Sequence, residues 1–292
     1  MTIQFDRTLV IDISGGYTQR TLTDLQVTFT VTKTLLSYPN KALVNLYNLA
    51  PKSKALLIEE DAKIDIYAGY NANNRLIFSG DVRNVVNTKQ GVDSITTVYA
   101  GDGSRAWEKA TINKTFSKRT PLSVIITALI ETFGTDIGVG TLLGPAILPL
   151  TDRLTATTLS GSTRDVMDRL AETYKFNWTI MDGKLEIIPY LSPNPSQPAV
   201  SISNKTGLRG SPTITEQGVE VKTAMNAKIN PNGLFVIDSV ASNVSLGDLY
   251  FRIAPILKPT GTYKVYEVVH TGDFRGNEWD TFIKGVPLER LI

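Results

Sequence analysis

Val82-Arg-Asn-Val-Val-Asn-Thr88 and Val265-Tyr-Glu-Val-Val-His-Thr271 align without a gap, both reading V-x-x-V-V-x-T, near opposite ends of a chain of 292 residues. The likeness extends to both sides of the heptapeptide. Downstream, a turn at Gly91 leads to the alternating run Asp93–Val98, and a turn at Gly276 leads to Asn277–Phe282. Upstream, Val44–Asn48 followed by Ile64-Asp-Ile66 resembles Val221–Asn226 followed by Phe235-Val-Ile237. An ordered set of strands that recurs is the signature of an internal duplication. The two ends of the chain are therefore expected to carry two copies of one antiparallel β-barrel.

The period of the apolar residues supports strands at both ends. Leu25, Val27, Phe29 and Val31 alternate with Gln26, Thr28, Thr30 and Thr32, which is the pattern of a half-buried antiparallel strand. Similar runs occupy Ala42–Leu49, Lys63–Tyr67, Arg75–Ser79, Val82–Thr88 and Ser94–Ala100 in the first copy. In the second they occupy Thr213–Thr215, Val219–Met225, Leu234–Asp238, Tyr263–Thr271 and Glu278–Ile283. One short helix is expected at Pro51–Asp61, with proline near its start.

The middle of the chain has helical periodicity instead. Thr120-Pro121 opens a helix over Leu122–Phe133 that Gly134 ends, with Thr120 as the expected N-cap. Ser162 and Asp165 form a capping-box spacing ahead of Val166, Met167, Leu170, Ala171 and Tyr174 on one helical face. Asp182-Gly183 between two apolar runs predicts a type I′ hairpin. Three prolines within Leu191–Pro198 predict a stiff linker, and an apolar stretch over 142–150, broken by Gly144, Pro145 and Pro149, reads as a buried loop. The expected division is a first β-barrel over 1–105, an α+β middle domain over 106–198 and a second β-barrel over 199–292. The class is mainly β with an α+β insertion.

Composition narrows the chemistry. Thirty Lys+Arg against 28 Asp+Glu leaves a net charge of +2, too little to steer the whole chain onto nucleic acid. The absence of cysteine excludes disulfides, thiolate metal sites and cysteine nucleophiles. A single histidine, His270, cannot supply a two-histidine zinc site, and its repeat position holds Asn87, which argues against catalysis. No signal peptide and no membrane-spanning run is read, so synthesis in a cytoplasm is expected.

Three further groups were weighed. Gly101-Asp-Gly103-Ser-Arg-Ala106 follows a strand as a dinucleotide fingerprint does, but no helix starts on its last glycine, so a turn is the better reading. Glu59, Glu60 and Asp61, with Asp12, Asp65, Asp81 and Asp93, lack any spacing that sets two carboxylates across a cleft. Lys114, Lys118 and Arg119 around Phe116 read as a solvated loop, and Trp107, Trp178 and Trp279 as packing residues. No catalytic, cofactor-binding or metal-binding residue is expected.

Several runs resemble the baseplate hub proteins of contractile phage tails, a late-control-protein-D-like, tail-tube-like family. They are Val44-Asn-Leu-Tyr-Asn-Leu49, Ile64–Tyr70 and Ile77-Phe-Ser-Gly80-Asp, the hairpin around Trp178, and the closing segments Gly207–Val219, Tyr263-Lys-Val265, His270-Thr-Gly-Asp273 and Gly276-Asn-Glu-Trp279. The resemblance spans nearly the whole chain in order. It implies a homotrimer that adapts the sixfold tail tube to the trimeric spike, two tube-like barrels per chain giving six similar units around a DNA channel. Implied partners are the chain itself, the tail tube protein, the spike, other baseplate proteins and passing DNA bound without sequence preference. The implied location is the tail baseplate of a virion. Leu25, Val27, Phe29, Val31, Tyr263, Val265 and Val268 mark the strands expected to meet between subunits. A siphophage-type tail hub or tube adaptor remains an alternative, and a tail-associated cell-wall hydrolase a more distant one.

Overall fold

In the computed structural model, residues 6–71, 74–144, 156–190, 192–215, 218–238, 243–244 and 261–288 are described. Contacts divide the chain into two compact units. One holds Met1–Thr34, Asn40–Gly101 and Pro193–Ile292, and the other holds Leu35–Pro39 and Asp102–Ser192.

The first unit begins with β1 (Arg7–Gly15), β2 (Thr18–Leu22), β3 (Val27–Thr34) and β4 (Lys41–Tyr47), then α1 (Pro51–Leu56), β5 (Lys63–Tyr70), β6 (Arg75–Gln90) and β7 (Asp93–Gly101). Alternation is carried out as read. Val27, Phe29, Val31 and Lys33 of β3 are buried while the threonines between them are half-exposed. Two runs expected as separate strands, at Arg75–Ser79 and Val82–Thr88, form the single strand β6. The β1–β2 hairpin is not among the expected strands, although Leu9, Ile11 and Ile13 alternate ahead of Gly15-Gly16 and are buried.

The second unit contains α2 (Ser104–Lys109), β8 (Thr111–Phe116), α3 (Leu122–Thr132), β9 (Gly138–Leu142), β10 (Thr157–Ser162), α4 (Thr163–Tyr174), β11 (Phe176–Met181) and β12 (Lys184–Pro189). Helices α3 and α4 bury Ile125, Ile126, Leu129, Val166, Met167 and Leu170 with Trp178 and Leu185 in one core. Pro121 rather than Thr120 takes the N-cap position of α3. Thr120 instead donates its hydroxyl to the Ser117 carbonyl at 2.8 Å, closing the turn before the helix. Ser162 is the N-cap of α4, without a side-chain cap bond. Asp182 and Gly183 both take positive φ, 53° and 74°, as a type I′ turn requires. Buried Asp102 accepts the main-chain N–H groups of both turn residues. This is why a carboxylate stands between Gly101 and Gly103. Contrary to the expectation of a turn with no helix on the last glycine, Gly103 is the N-cap of the six-residue helix α2, in a left-handed conformation with φ 56°; the helix is followed by β8, which pairs antiparallel with β10, so no dinucleotide-binding βαβ unit is formed. The apolar run after Gly144 lies outside the described residues.

The chain then returns to the first unit with β13 (Val200–Ser203), β14 (Thr213–Ile214), β15 (Val219–Ala224), β16 (Leu234–Asp238), β17 (Asn243–Val244), β18 (Gly261–Asp273) and β19 (Trp279–Pro287). Of the linker before β13, Pro193, Pro195 and Pro198 fall in this unit. All strands of the unit belong to one 14-stranded sheet. Two of its pairings depart from the antiparallel expectation, β13 with β16 and β14 with β17, which are parallel.

Two cores lie under this sheet. The second is built from the chain's last third, including Val219, Val221, Phe235, Tyr263, Val265, Val268 and Ile283. The first combines β1, β3, β4, β5 and β7 with Met225, Ala227 and Trp279. The Trp279 ring meets Phe29 edge-on at 5.5 Å and its indole N–H donates to the Gly69 carbonyl at 3.2 Å. Arg7 lies 5.6 Å over the same ring and donates to the Gly276 carbonyl at 2.6 Å. The first core therefore needs the last hairpin of the chain. Trp279→Ala is expected to destabilise this unit by about 3–5 kcal/mol, the usual cost of emptying a buried tryptophan site. Urea denaturation should show both cores lost in one transition, and an intact first core in the variant contradicts the assignment.

Candidate functional site

The duplicated element is the candidate functional surface. In the first copy the strand order is β4-β7-β6-β5, and in the second it is β15-β19-β18-β16, all antiparallel. Single rows across the sheet correspond: Val82, Ala100, Ala42 and Val31 in one copy, Val265, Gly285, Val219 and Ile214 in the other. Both copies carry a β-bulge at the same motif position. The register of β6 on β7 shifts between Val82 and Asn84, and that of β18 on β19 between Val265 and Glu267. An added residue bends the strand and sharpens its twist, so Arg83 and Tyr266 curve the two copies at the same place.

Side-chain chemistry is also duplicated. Thr96 donates to Asn87 Oδ1 at 2.8 Å, while His270 Nδ1 and Thr281 Oγ1 lie 2.9 Å apart. Asn87 stands opposite Thr96 and His270 opposite Thr281. The surroundings differ. Asn87 is exposed and His270 is fully buried: β3 runs alongside β18 from Glu267↔Thr34 to Asp273↔Thr28, and Met225 and Asn226 lie against its partner Thr281.

This places the residues expected at subunit junctions. Val27, Phe29, Val31, Tyr263, Val265 and Val268 are buried, and Leu25, just before β3, packs against the first core. Strand β3 has β4 on one edge and β18 on the other, so β3 and β18 meet each other inside one chain. In β6, by contrast, β5 pairs only as far as Asp81, and among the described residues no strand lies on the outer edge of Asn84–Gln90. Apolar alternation identified the strands, but it carries no information on which edge of a strand is filled.

The sheet face turned away from the first core mixes polar and apolar residues, with Thr28, Thr30, Asn45 and Thr97 beside exposed Leu43, Tyr99 and Val86. Asn45 donates to Thr28 Oγ1 at 3.0 Å and accepts from Thr97 at 2.8 Å, a ladder across β3, β4 and β7. In the second copy ion pairs take over, Lys284 with Glu267 at 3.3 Å and Lys222 with Asp280 at 3.1 Å.

The remaining candidates have structural roles. Glu59, Glu60 and Asp61 are exposed, with Asp61 accepting the Gly16 N–H at 2.8 Å. Asp12 accepts from Thr21 at 2.5 Å and Asp93 from Asn48 at 2.8 Å. Trp178 donates to Asp168 at 2.8 Å and Trp107 to the Ser37 carbonyl at 2.7 Å. Lys114 lies over the ring of buried Phe116 at 5.6 Å, and Lys118 and Arg119 are exposed. A cleft of about 550 Å³ bounded by Tyr70, Arg75, Gln197, Asn226 and Lys228 is lined by no carboxylate among the described residues.

No protein-family model and no curated protein matches the sequence. Solved structures do match its fold. A 43 kDa tail protein of prophage MuSo2 from Shewanella oneidensis superposes with a TM-score of 0.65 at 11% identity, covering 97% of this chain and 99% of that one. A tail protein from Neisseria meningitidis MC58 gives 0.60 at 7% identity, with 96% of each chain covered. The E. coli c3393 protein, a type VI secretion component described as structurally similar to the T4 bacteriophage tail proteins gp27 and gp5, gives 0.59 at 11% identity, covering 95% and 76%. The mainly β fold is thus that of phage tail proteins.

Burial, with the charge of Lys33 adding to it, lowers the His270 pKa from 6.5 to about 3. The unfolded imidazole binds its proton near pH 6.5, so between these values folding excludes a proton. The stabilisation is complete above about pH 6.5 and is lost as pH falls toward 3. His270→Asn, which installs the residue of the first copy, is expected to flatten the stability profile between about pH 6.5 and 4 in urea denaturation. Identical slopes in variant and parent exclude His270 as the group responsible.

Proposed function

We propose that this chain is a structural hub of a phage tail baseplate, a homotrimer that joins the sixfold tail tube to a threefold spike and lines the DNA channel. The observation that carries the reading is the duplicated strand set, β3-β4-β7-β6 matched row for row by β14-β15-β19-β18, with its bulge at the same motif position and joined copy to copy through β3 and β18. One junction of this kind is made within each chain. Three chains with two units each supply six similar units, so a threefold particle presents a nearly sixfold face to a tube.

The dimensions suit passage of a duplex. Six units of four strands, spaced about 4.8 Å apart and tilted about 40°, would close a ring roughly 40–50 Å across between backbones. The similarity of the fold to tail proteins, and to a type VI component likened to gp27 and gp5, supports the same reading.

Light scattering on the protein alone is expected to give three times the 32.0 kDa chain mass, its complex with the tail tube protein is expected to contain three copies of this chain, and class averages should show a ring with a central hole. A protein that stays monomeric in both settings overturns the trimeric hub. The reading also expects no hydrolysis. A zymogram on peptidoglycan should show no cleared band, and a band abolished by Glu59→Gln or Glu60→Gln would replace the structural role with an enzymatic one.

A further inference from the structure

We infer that the outer edge of β6, from Asn84 to Gln90, is the docking edge for a second copy of this chain, and that the strand it receives is the segment around Thr213 and Ile214. The inference rests on the trimeric reading above and adds to it the edges and the register of the contact.

The repeat supplies the occupant. Strand β18 is the counterpart of β6, and its second half is covered by β3 in seven consecutive pairs, from Glu267↔Thr34 to Asp273↔Thr28. The same half of β6 has β7 on one side and, among the described residues, no strand on the other. Strand β3 is flanked by β4, and its counterpart β14 by β15. The rows that match Val82 with Val265 also match Val31 with Ile214. What β3 does for β18 within a chain, β14 of one copy is placed to do for β6 of the next.

The register then follows without adjustment. His270 opposite Val31 becomes Asn87 opposite Ile214 of the next copy, and Thr271 opposite Thr30 becomes Thr88 opposite Thr213. The edge itself is suited to pairing. Val85, Val86, Asn87 and Thr88 bring neither charge nor proline to it, and Val86 is 40% exposed. Natural edges of this length are normally blunted by lysine, proline or a cover, because open main-chain groups recruit another strand. Here only Lys89, close to the tip, does so. On the receiving side the outer edge of β14 is paired, among the described residues, with the two residues of β17. The junction exchanges that parallel bridge for antiparallel pairing. Pro212, at the position of Phe29, removes one donor from that ladder, so Ile214 is the residue whose main chain anchors it. A contact between two different edges is heterologous, and it closes as a ring only where the rotation allows.

The absence of cysteine makes the test direct. Thr88→Cys combined with Thr213→Cys is expected, on mild oxidation, to give a ladder on non-reducing gels that ends at three chains, while either single variant gives none. Thr30→Cys combined with Thr271→Cys, the equivalent pair within one chain, should crosslink without a change of mass and shows that a disulfide fits this geometry. Asn87→Pro removes a main-chain donor on an exposed edge, where proline is tolerated. It is expected to keep the melting temperature within a few degrees and to raise the concentration needed for assembly at least tenfold. A protein that is trimeric by light scattering, yet does not crosslink at 88 and 213 and is unaffected by Asn87→Pro, overturns this junction and leaves the hub reading standing. A ladder that continues past three chains keeps the junction and overturns the closed trimer. A protein that is monomeric at every concentration and never crosslinks overturns both.

Discussion

The antiparallel pairing of Thr28–Thr34 with Glu267–Asp273 is the constraint on which the sheet depends. It joins strands from the two ends of the chain, and the rest of the first unit is arranged around it. Once β18 lies beside β3, the β18–β19 hairpin carries Trp279 into the first core, against Phe29 and under Arg7. Without that pairing the first core lacks its largest side chain. Contacts of such long sequence separation require loop closure before they return any stabilisation, which predicts slow folding for this unit relative to the helical one.

The same pairing explains why the two copies of one motif diverged in chemistry. At the position opposite a threonine, an amide and an imidazole make the same side-chain contact. Asn87 is exposed. His270 is covered by β3, lies near the buried Lys33, and is kept neutral by both burial and that charge. A repeated fold thus repeats a hydrogen bond while its environment selects the residue that makes it. The other face follows a comparable division, with a neutral Thr28–Asn45–Thr97 ladder in one copy and ion pairs in the other.

Local signals were read well where a residue's own geometry decides the outcome. Asp182-Gly183 could be assigned to a type I′ turn because few residues take two successive positive φ angles, and both do so here. What the sequence concealed was the reason for Asp102, whose carboxylate holds that turn from 80 residues away. The β1–β2 hairpin had a usable signal in Leu9, Ile11, Ile13 and the Gly15-Gly16 pair. The parallel pairings of β13 with β16 and β14 with β17 had none, since a short strand looks alike in either direction.

The sequence by itself determined the strand-forming segments, the duplication and the equivalence of Asn87 with His270, because side-chain alternation and spacing are properties of the chain as written. The tertiary structure alone decided which strand edges are filled. Main-chain N–H and C=O groups are the same in every residue but proline, so no side-chain pattern records whether β3 lies against its own β18 or against a neighbour's strand. That choice is made by register and long-range packing, through Trp279, Phe29 and the seven pairs between β3 and β18. Among the described residues, it leaves one half of β6 open where the matching half of β18 is closed.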